Sequence, residues 1–354
     1  MIGAVKKCGL ILCGLLLTIA AAGYFLPGDG SQVNVPVVTE RVLVPGGQSV
    51  GVRMDVRGVL VVGLEEIQTS GGEKINPGLV SGLQIGDTIL SVNGTKVYSA
   101  DEVQTLVNEI RSTVKLKVKR NQQKLTVCVK PVKAKSDGLY KLGIWVKDKT
   151  AGIGTLTYYD PANGTFGALG HGIVDVETNS ILKVASGQLL QSQVQEVKEG
   201  SDGNPGEIRG IFYHTSDPLG TLQKNCNFGV FGTAAKELSN PMYPDPIPVG
   251  TQDQIRKGRA YILSTLGDNR IQRFEIEIEK IEHQRKPDDK GLVIRVTDPK
   301  LIRESGGIVQ GMSGSPIIQN GRIVGAITHV FVNDAKRGYG IFIEWMLGES
   351  AKLP

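Results

Sequence analysis

The clearest chance of nucleophilic chemistry in this chain lies in one short stretch, Gly311-Met312-Ser313-Gly314-Ser315-Pro316. A serine between glycines, with a proline soon after, has the composition of a sharp turn. A serine attacks a carbonyl when three conditions meet: an imidazole takes its proton, an acid orients that imidazole, and backbone N–H groups receive the developing oxyanion. The N–H groups of Gly311 and Ser313 can lie on one side of such a turn. Gly311 and Gly314 leave room for a substrate carbonyl to approach. Ser315, just before Pro316, reads as structural.

The chain holds four histidines, so the choice of base is short. His171 lies in "GALGHGIVD", between Gly170 and Gly172, where a turn presents the side chain. His283 follows a charged alternating strand and reads as solvent-facing. His214, after "IFY", reads as a satisfied, semi-buried ring. His329, in "AITHVF", reads as strand packing, yet its closeness to Ser313 makes it the second candidate base. Acids are plentiful: Asp298 ends the strand "RVTD" before Pro299, and Asp160, Asp175, Asp217 and Asp268 sit near turns. The residues alone do not choose among them.

The elements that must position these groups are mostly strands. Glycine is abundant (46 residues) and aromatics are only 5%, which points to a turn-rich, β-leaning protein. From about residue 141 short strands and tight turns follow one another without alternating helices, the pattern of a sandwich or barrel. Residues 141–354 are long enough for a pair of barrels of chymotrypsin type. Two turn-rich stretches, 199–206 and 240–250, read as surface connections. The net charge of +5 is spread along the chain, with no basic block of the kind that binds nucleic acid. No Cys or His spacing suggests a metal site, and no cofactor is expected. Cys128 and Cys226 read as buried small apolar residues.

Upstream, residues 48–133 form a separate pattern. "GLQIGDTILSVNG" combines a helix end, a Gly86-Asp87 turn, a short apolar strand and an Asn93-Gly94 hairpin. In "SADEVQTLVNEI" Ser99 or Asp101 caps a helix whose apolar face is Val103, Leu106, Val107 and Ile110. "TVKLKVKR" and "KLTVCVKPV" alternate as closing strands. This segment resembles a PDZ domain. The resemblance implies that an extended peptide adds to the sheet edge, its carboxylate taken by the loop Ser49-Val50-Gly51-Val52.

The N-terminal residues read differently. Lys6 and Lys7 precede the uncharged stretch Cys8–Leu26, which at about 1.5 Å of rise per residue spans roughly 28 Å, close to a bilayer core. We read 1–26 as an uncleaved signal anchor that places the rest of the chain across the membrane, and 27–47 as an exposed linker.

Taken in order, the anchor, the PDZ-like segment, "GALGHGIVD", "GMSGSPIIQNGRIVGAITHVFVND" and "YGIFIEW" resemble the stage IV sporulation protein B peptidase family across essentially the whole chain. "GMSGSPI" is similar to the elbow of chymotrypsin-like serine peptidases. The resemblance implies a mainly β fold: transmembrane helix, PDZ domain, then a double β-barrel peptidase domain. Carried over by position, it makes Ser313 the nucleophile, His171 the base and Asp298 the acid, with the oxyanion hole at Gly311 and Ser313. Asp298 stands closer ahead of the serine than chymotrypsin-like enzymes place their acid. The family implies a protein of the forespore membrane with its catalytic domain in the intermembrane space. It cleaves itself, here in the linker, releasing a soluble form. It also cleaves a membrane-bound regulator, which activates an intramembrane protease and sigma-factor processing. Two other readings use the same residues: a serine–lysine protease with Lys336 as base, and a membrane-tethered PDZ scaffold with an inactive second domain.

Overall fold

The computed structural model describes residues 41–353 apart from Gln122, 176–179 and Asp202. The expected anchor, 1–26, lies outside the described residues; among those described, no helix is long and apolar enough to cross a membrane. Most of the expected linker also lies outside, but its end does not. Val42–Pro45 is a buried strand paired with Tyr158-Tyr159 and with Ile247-Pro248, so the folded part begins before residue 48.

Strand β1 (Ser49–Leu64) serves two sheets. Its second half pairs with β2 (Thr88–Val92), which leads to β3 (Val114–Arg120) and β4 (Gln123–Val129). Helix α1 (Ala100–Ile110) covers this small sheet. Ser99 caps it by accepting from Glu102 N–H, and Val103 and Val107 enter a core with Ile89, Val92, Leu116 and Val118. These are the elements the alternation and the capping signal predict. Asn93 (φ 47°) and Gly94 (φ 89°) make the expected two-residue turn between Val92 and Thr95. Asp87 is buried and holds both Arg120 Nε and Nη2 at 2.7 Å, which closes the turn on the last strands.

The first half of β1 belongs to a barrel. It pairs on one edge with β5 (Ile144–Asp160) and on the other with β7 (Val184–Lys198). The ring continues from β5 through β6 (Thr165–Ala168) to β10 (Gly229–Ala234), β9 (Gly220–Cys226) and back to β7; β8 (Glu207–Tyr213) extends β7 outside it. A second closed barrel runs β11 (Gly258–Thr265), β12 (Ile271–Ile281), β13 (Leu292–Val296), β16 (Asp334–Phe342), β15 (Arg322–Phe331), β14 (Pro316–Gln319). Inward residues alternate along each strand, as Phe274, Ile276 and Ile278 do on β12. Each fully buried side chain of this kind contributes about 1.5–3 kcal/mol relative to exposure. The fold is mainly β, a PDZ-type sheet and two barrels, with α2 (Pro299–Ser305) and α3 (Ile343–Ser350) as short additions.

Two expectations fail here. Ser49, Val50, Gly51 and Val52 are not a peptide-holding loop. They pair with Thr155, Gly154, Ile153 and Gly152 on one side, Val50–Val52 pair with Gln191–Leu189 on the other, and Val50 and Val52 point into the barrel core. The same alternation of small and apolar residues suits a loop strand or a barrel strand, and closure of the ring decides. The PDZ-sheet edge of β1 is likewise taken: Ile144, Trp145, Val146 and Lys147 of β5 pair along Leu60–Leu64. Beside them Gln104 donates to the Tyr140 carbonyl, and Asn108 accepts from Tyr140 N–H. Secondly, Cys128 is exposed on the outer face of β4, while Cys226 is half-buried and its thiol pKa is pushed up by burial.

Candidate active site

His171 and Ser313 arrive from different barrels. Past β6 the chain turns through Leu169 (φ 70°) and Gly170 (φ 69°) before His171. A leucine at positive φ is strained, at a cost of order 1–3 kcal/mol. It is held there by burial and by its N–H, which donates to Thr155 O. The result is a half-buried imidazole whose Nδ1 lies 2.9 Å from Gly172 O. With the proton on Nδ1, that carbonyl accepts it and Nε2 keeps a free lone pair. Burial lowers the pKa of His171, against the smaller opposing pull of Gly172 O and Asp289.

Ser313 sits between Gly311 (φ 99°) and Gly314 (φ 94°), a conformation L side chains rarely adopt. A Cβ on Gly314 would lie 2.2 Å from Thr155 O and 2.4 Å from Leu169 N. Gly314 therefore lets the elbow press against the His171 turn of the first barrel, rather than keeping an approach open for substrate. Ser315 is fully buried behind it. The Ser313 hydroxyl donates to Thr328 O at 2.8 Å, so its proton must leave that bond before any base can take it.

The N–H groups of Gly311 and Ser313 donate to no group among the described residues. Their direction follows from peptide planarity, which sets N–H opposite to C=O. The Gln310 carbonyl accepts from Ile208 N–H (2.8 Å) and the Met312 carbonyl from Ser315 N–H (2.9 Å). The Gly311 and Ser313 N–H groups therefore point away from those partners. Support for this loop comes from residues 199–206, the supposed surface connection: Gly206 O accepts from Gln310 N–H, and Gly200 N–H donates to Ser305 O.

A cavity of about 750 Å³ contains His171, Gly311 and Ser313 in its lining, together with Thr328, His329 and Asp289. The rings of His171 and His329 are 4.8 Å apart, tilted by 34°. His329 is partly exposed, and its Nδ1 is 3.8 Å from Asp289 Oδ2. Its pKa is pushed down to about 4 by desolvation, then by the charges of His171 and Lys290. Asp289 is raised, first by burial and then by Asp288. From sequence His329 reads only as the second candidate base, and nothing in "RKPDDKG" marks Asp289. His283 is exposed, as expected; His214 is exposed in a turn rather than semi-buried. Lys336 is exposed and does not line the cavity.

Asp298 is not brought to His171. It is the N-cap of α2: Oδ1 accepts from Lys300 and Leu301 N–H, and Oδ2 from Glu275 N–H. It is absent from the cavity lining. The signal for this was legible, since Asp followed by Pro is a helix-start pattern. Asp298→Ala is accordingly expected to lower stability by about 0.5–2 kcal/mol, the usual value of such a cap, and to leave turnover per folded molecule within a few-fold. A melting curve beside an active-site titration checks both. Activity lost in fully folded Asp298→Ala would restore it as the acid.

Comparison with known proteins shows the family. A family model described as SpoIVB peptidase S55 matches residues 138–347, and one described as a PDZ domain matches 50–130. No curated protein matches. Among solved structures, the PDZ domain of the SdrC-like protein from Listeria monocytogenes is 20% identical over 25% of this chain and 87% of its own, with a TM-score of 0.20. The active form of the Rv3671c protease from M. tuberculosis is 15% identical over 58% of this chain and 74% of its own, with a TM-score of 0.32. The HtrA-type protease AlgW with a decapeptide is 13% identical over 58% of this chain and 53% of its own, at 0.33.

Proposed function

We propose, for a chain that belongs to the SpoIVB peptidase S55 family and is a serine endopeptidase carrying a PDZ domain, that Ser313 is the nucleophile and His171 the general base. The observation that carries this reading is the pair of uncommitted N–H groups on Gly311 and Ser313, beside a hydroxyl in the cavity that His171 also lines. As Ser313 Oγ bonds to the carbonyl carbon of a peptide, its proton passes to His171 Nε2, and the two N–H groups receive the oxyanion. The imidazolium then protonates the leaving amine, and water, activated by the same ring, hydrolyses the acyl-enzyme. Gly172 O holds the Nδ1 proton in the role a carboxylate fills elsewhere. The charge of Asp289 favours the imidazolium once it forms.

The substrates we infer are the chain's own N-terminal segment and a membrane-bound regulator of sporulation, cut on the far side of the forespore membrane to activate an intramembrane protease. A self-cut within 27–47 falls before Arg41, because Val42–Pro45 is a paired strand buried from Leu43 on. The PDZ domain recruits partner proteins, although not through residues 49–52.

A fluorophosphonate probe tests the reading on purified protein. One label is expected, on Ser313. The base form of His171 is the neutral ring, and its pKa lies below the ordinary 6.5. The labelling rate should therefore be level at neutral pH and fall only on acidification below that value. A label at another serine overturns the assignment of Ser313, and a protein that takes no label overturns it in favour of the scaffold reading.

A further inference from the structure

We propose that Thr155, on β5 of the first barrel, is the positioning residue that sets the angle between the two oxyanion donors of the second barrel. The proposal rests on the reading of Ser313 as nucleophile. Three successive peptide units build the donor loop. The outer two, Gln310–Gly311 and Met312–Ser313, carry the free N–H groups, and each has its carbonyl tied to backbone, at Ile208 and Ser315. The middle unit, Gly311–Met312, joins them and decides how one N–H is rotated relative to the other.

That middle unit is held at both ends. Its N–H donates to Val309 O at 3.1 Å, and its carbonyl, Gly311 O, accepts from the Thr155 hydroxyl at 2.8 Å. Without the hydroxyl only the longer bond remains. The unit also begins at a glycine with φ 99°, the residue type least able to resist rotation. Val309–Ser313 contains no other side-chain tie to this carbonyl among the described residues.

Thr155 is suited to the task because it is itself buried and tied on both sides of its backbone. It is 1% exposed and paired with Ser49 within the barrel. Its N–H donates to Ser313 O at 3.0 Å, and its carbonyl accepts from Leu169 N–H in the turn that presents His171. One residue thus touches the nucleophile's own backbone, the donor loop and the base's turn. The backbone bonds survive any substitution. The hydroxyl bond is the part that depends on the side chain, and removing it leaves the Gly311 carbonyl without its partner.

The test compares wild type with Thr155→Val, which keeps the shape and removes the hydroxyl, and Thr155→Ser, which keeps the hydroxyl. Inactivation of the full-length protein by a fluorophosphonate reports kinact and KI separately, and the phosphonyl oxygen uses the same donors. Loss of a whole oxyanion donor typically costs about 100- to 1000-fold. A misaimed pair should cost less, so Thr155→Val is expected to lower kinact by roughly 10- to 100-fold with KI nearly unchanged. Thr155→Ser should return most of the rate. If Thr155→Val does not fold, Thr155→Ala against Thr155→Ser makes the same comparison, both lacking the methyl group. A wild-type kinact in the hydroxyl-free variant, or equal slowing in Thr155→Ser, overturns the proposal while Ser313 stands. A wild type that takes no label overturns the nucleophile assignment and this inference together.

Discussion

Replacing Ser313 by alanine is expected to reduce peptide hydrolysis by about a millionfold, to the level left when a serine nucleophile is removed from enzymes of this mechanism. The folded state should hardly notice. The hydroxyl makes one bond, to Thr328 O, worth on the order of 1 kcal/mol net. The backbone carbonyl of Ser313 keeps its bond from Thr155 N–H whatever the side chain. The purified variant should therefore stay full-length and fold like wild type, while wild type releases fragments. Mass mapping of those fragments locates the cut, expected before Arg41. Continued fragmentation of pure Ser313→Ala, with no other protease present, would show that another residue attacks.

His171→Ala should cost nearly as much, and adding it to Ser313→Ala should cost almost nothing further, because the two act as one unit. The result also separates three bases. A serine–lysine enzyme survives the change, but Lys336 is exposed and outside the cavity. His329 is the stronger rival, since its ring stands 4.8 Å from His171 in the same cavity. Burial depresses both rings, His329 to about 4, so both are neutral at neutral pH and the two alanine variants decide between them. Should His171→Ala retain rate while His329→Ala loses it, the two imidazoles exchange roles.

Much of this site could be read locally. A glycine-flanked serine and a glycine-flanked histidine announce their own turns, and the backbone confirms both with positive φ at Gly311, Gly314 and Gly170. The PDZ-type sheet was legible for the same reason: capping, the Asn93-Gly94 turn and strict alternation are all short-range signals. Asp298 reads in the sequence as a strand end and, by resemblance, as the acid; the structure makes that carboxylate a helix N-cap.

What the chain could not disclose by itself is partnership across distance. Residues 49–52 alternate as a strand must, and alternation says which face is buried without saying against which sheet. Ring closure between β1, β5 and β7 turns them from a peptide-binding loop into barrel wall. Packing of the second barrel on the first brings Gly311 to Thr155, and it sets His329 and Asp289 beside His171. Turn, cap and strand follow from neighbours a few residues apart, so the sequence determined them. The orienting contacts of the site join residues of two barrels, and only the packing of those barrels decided them.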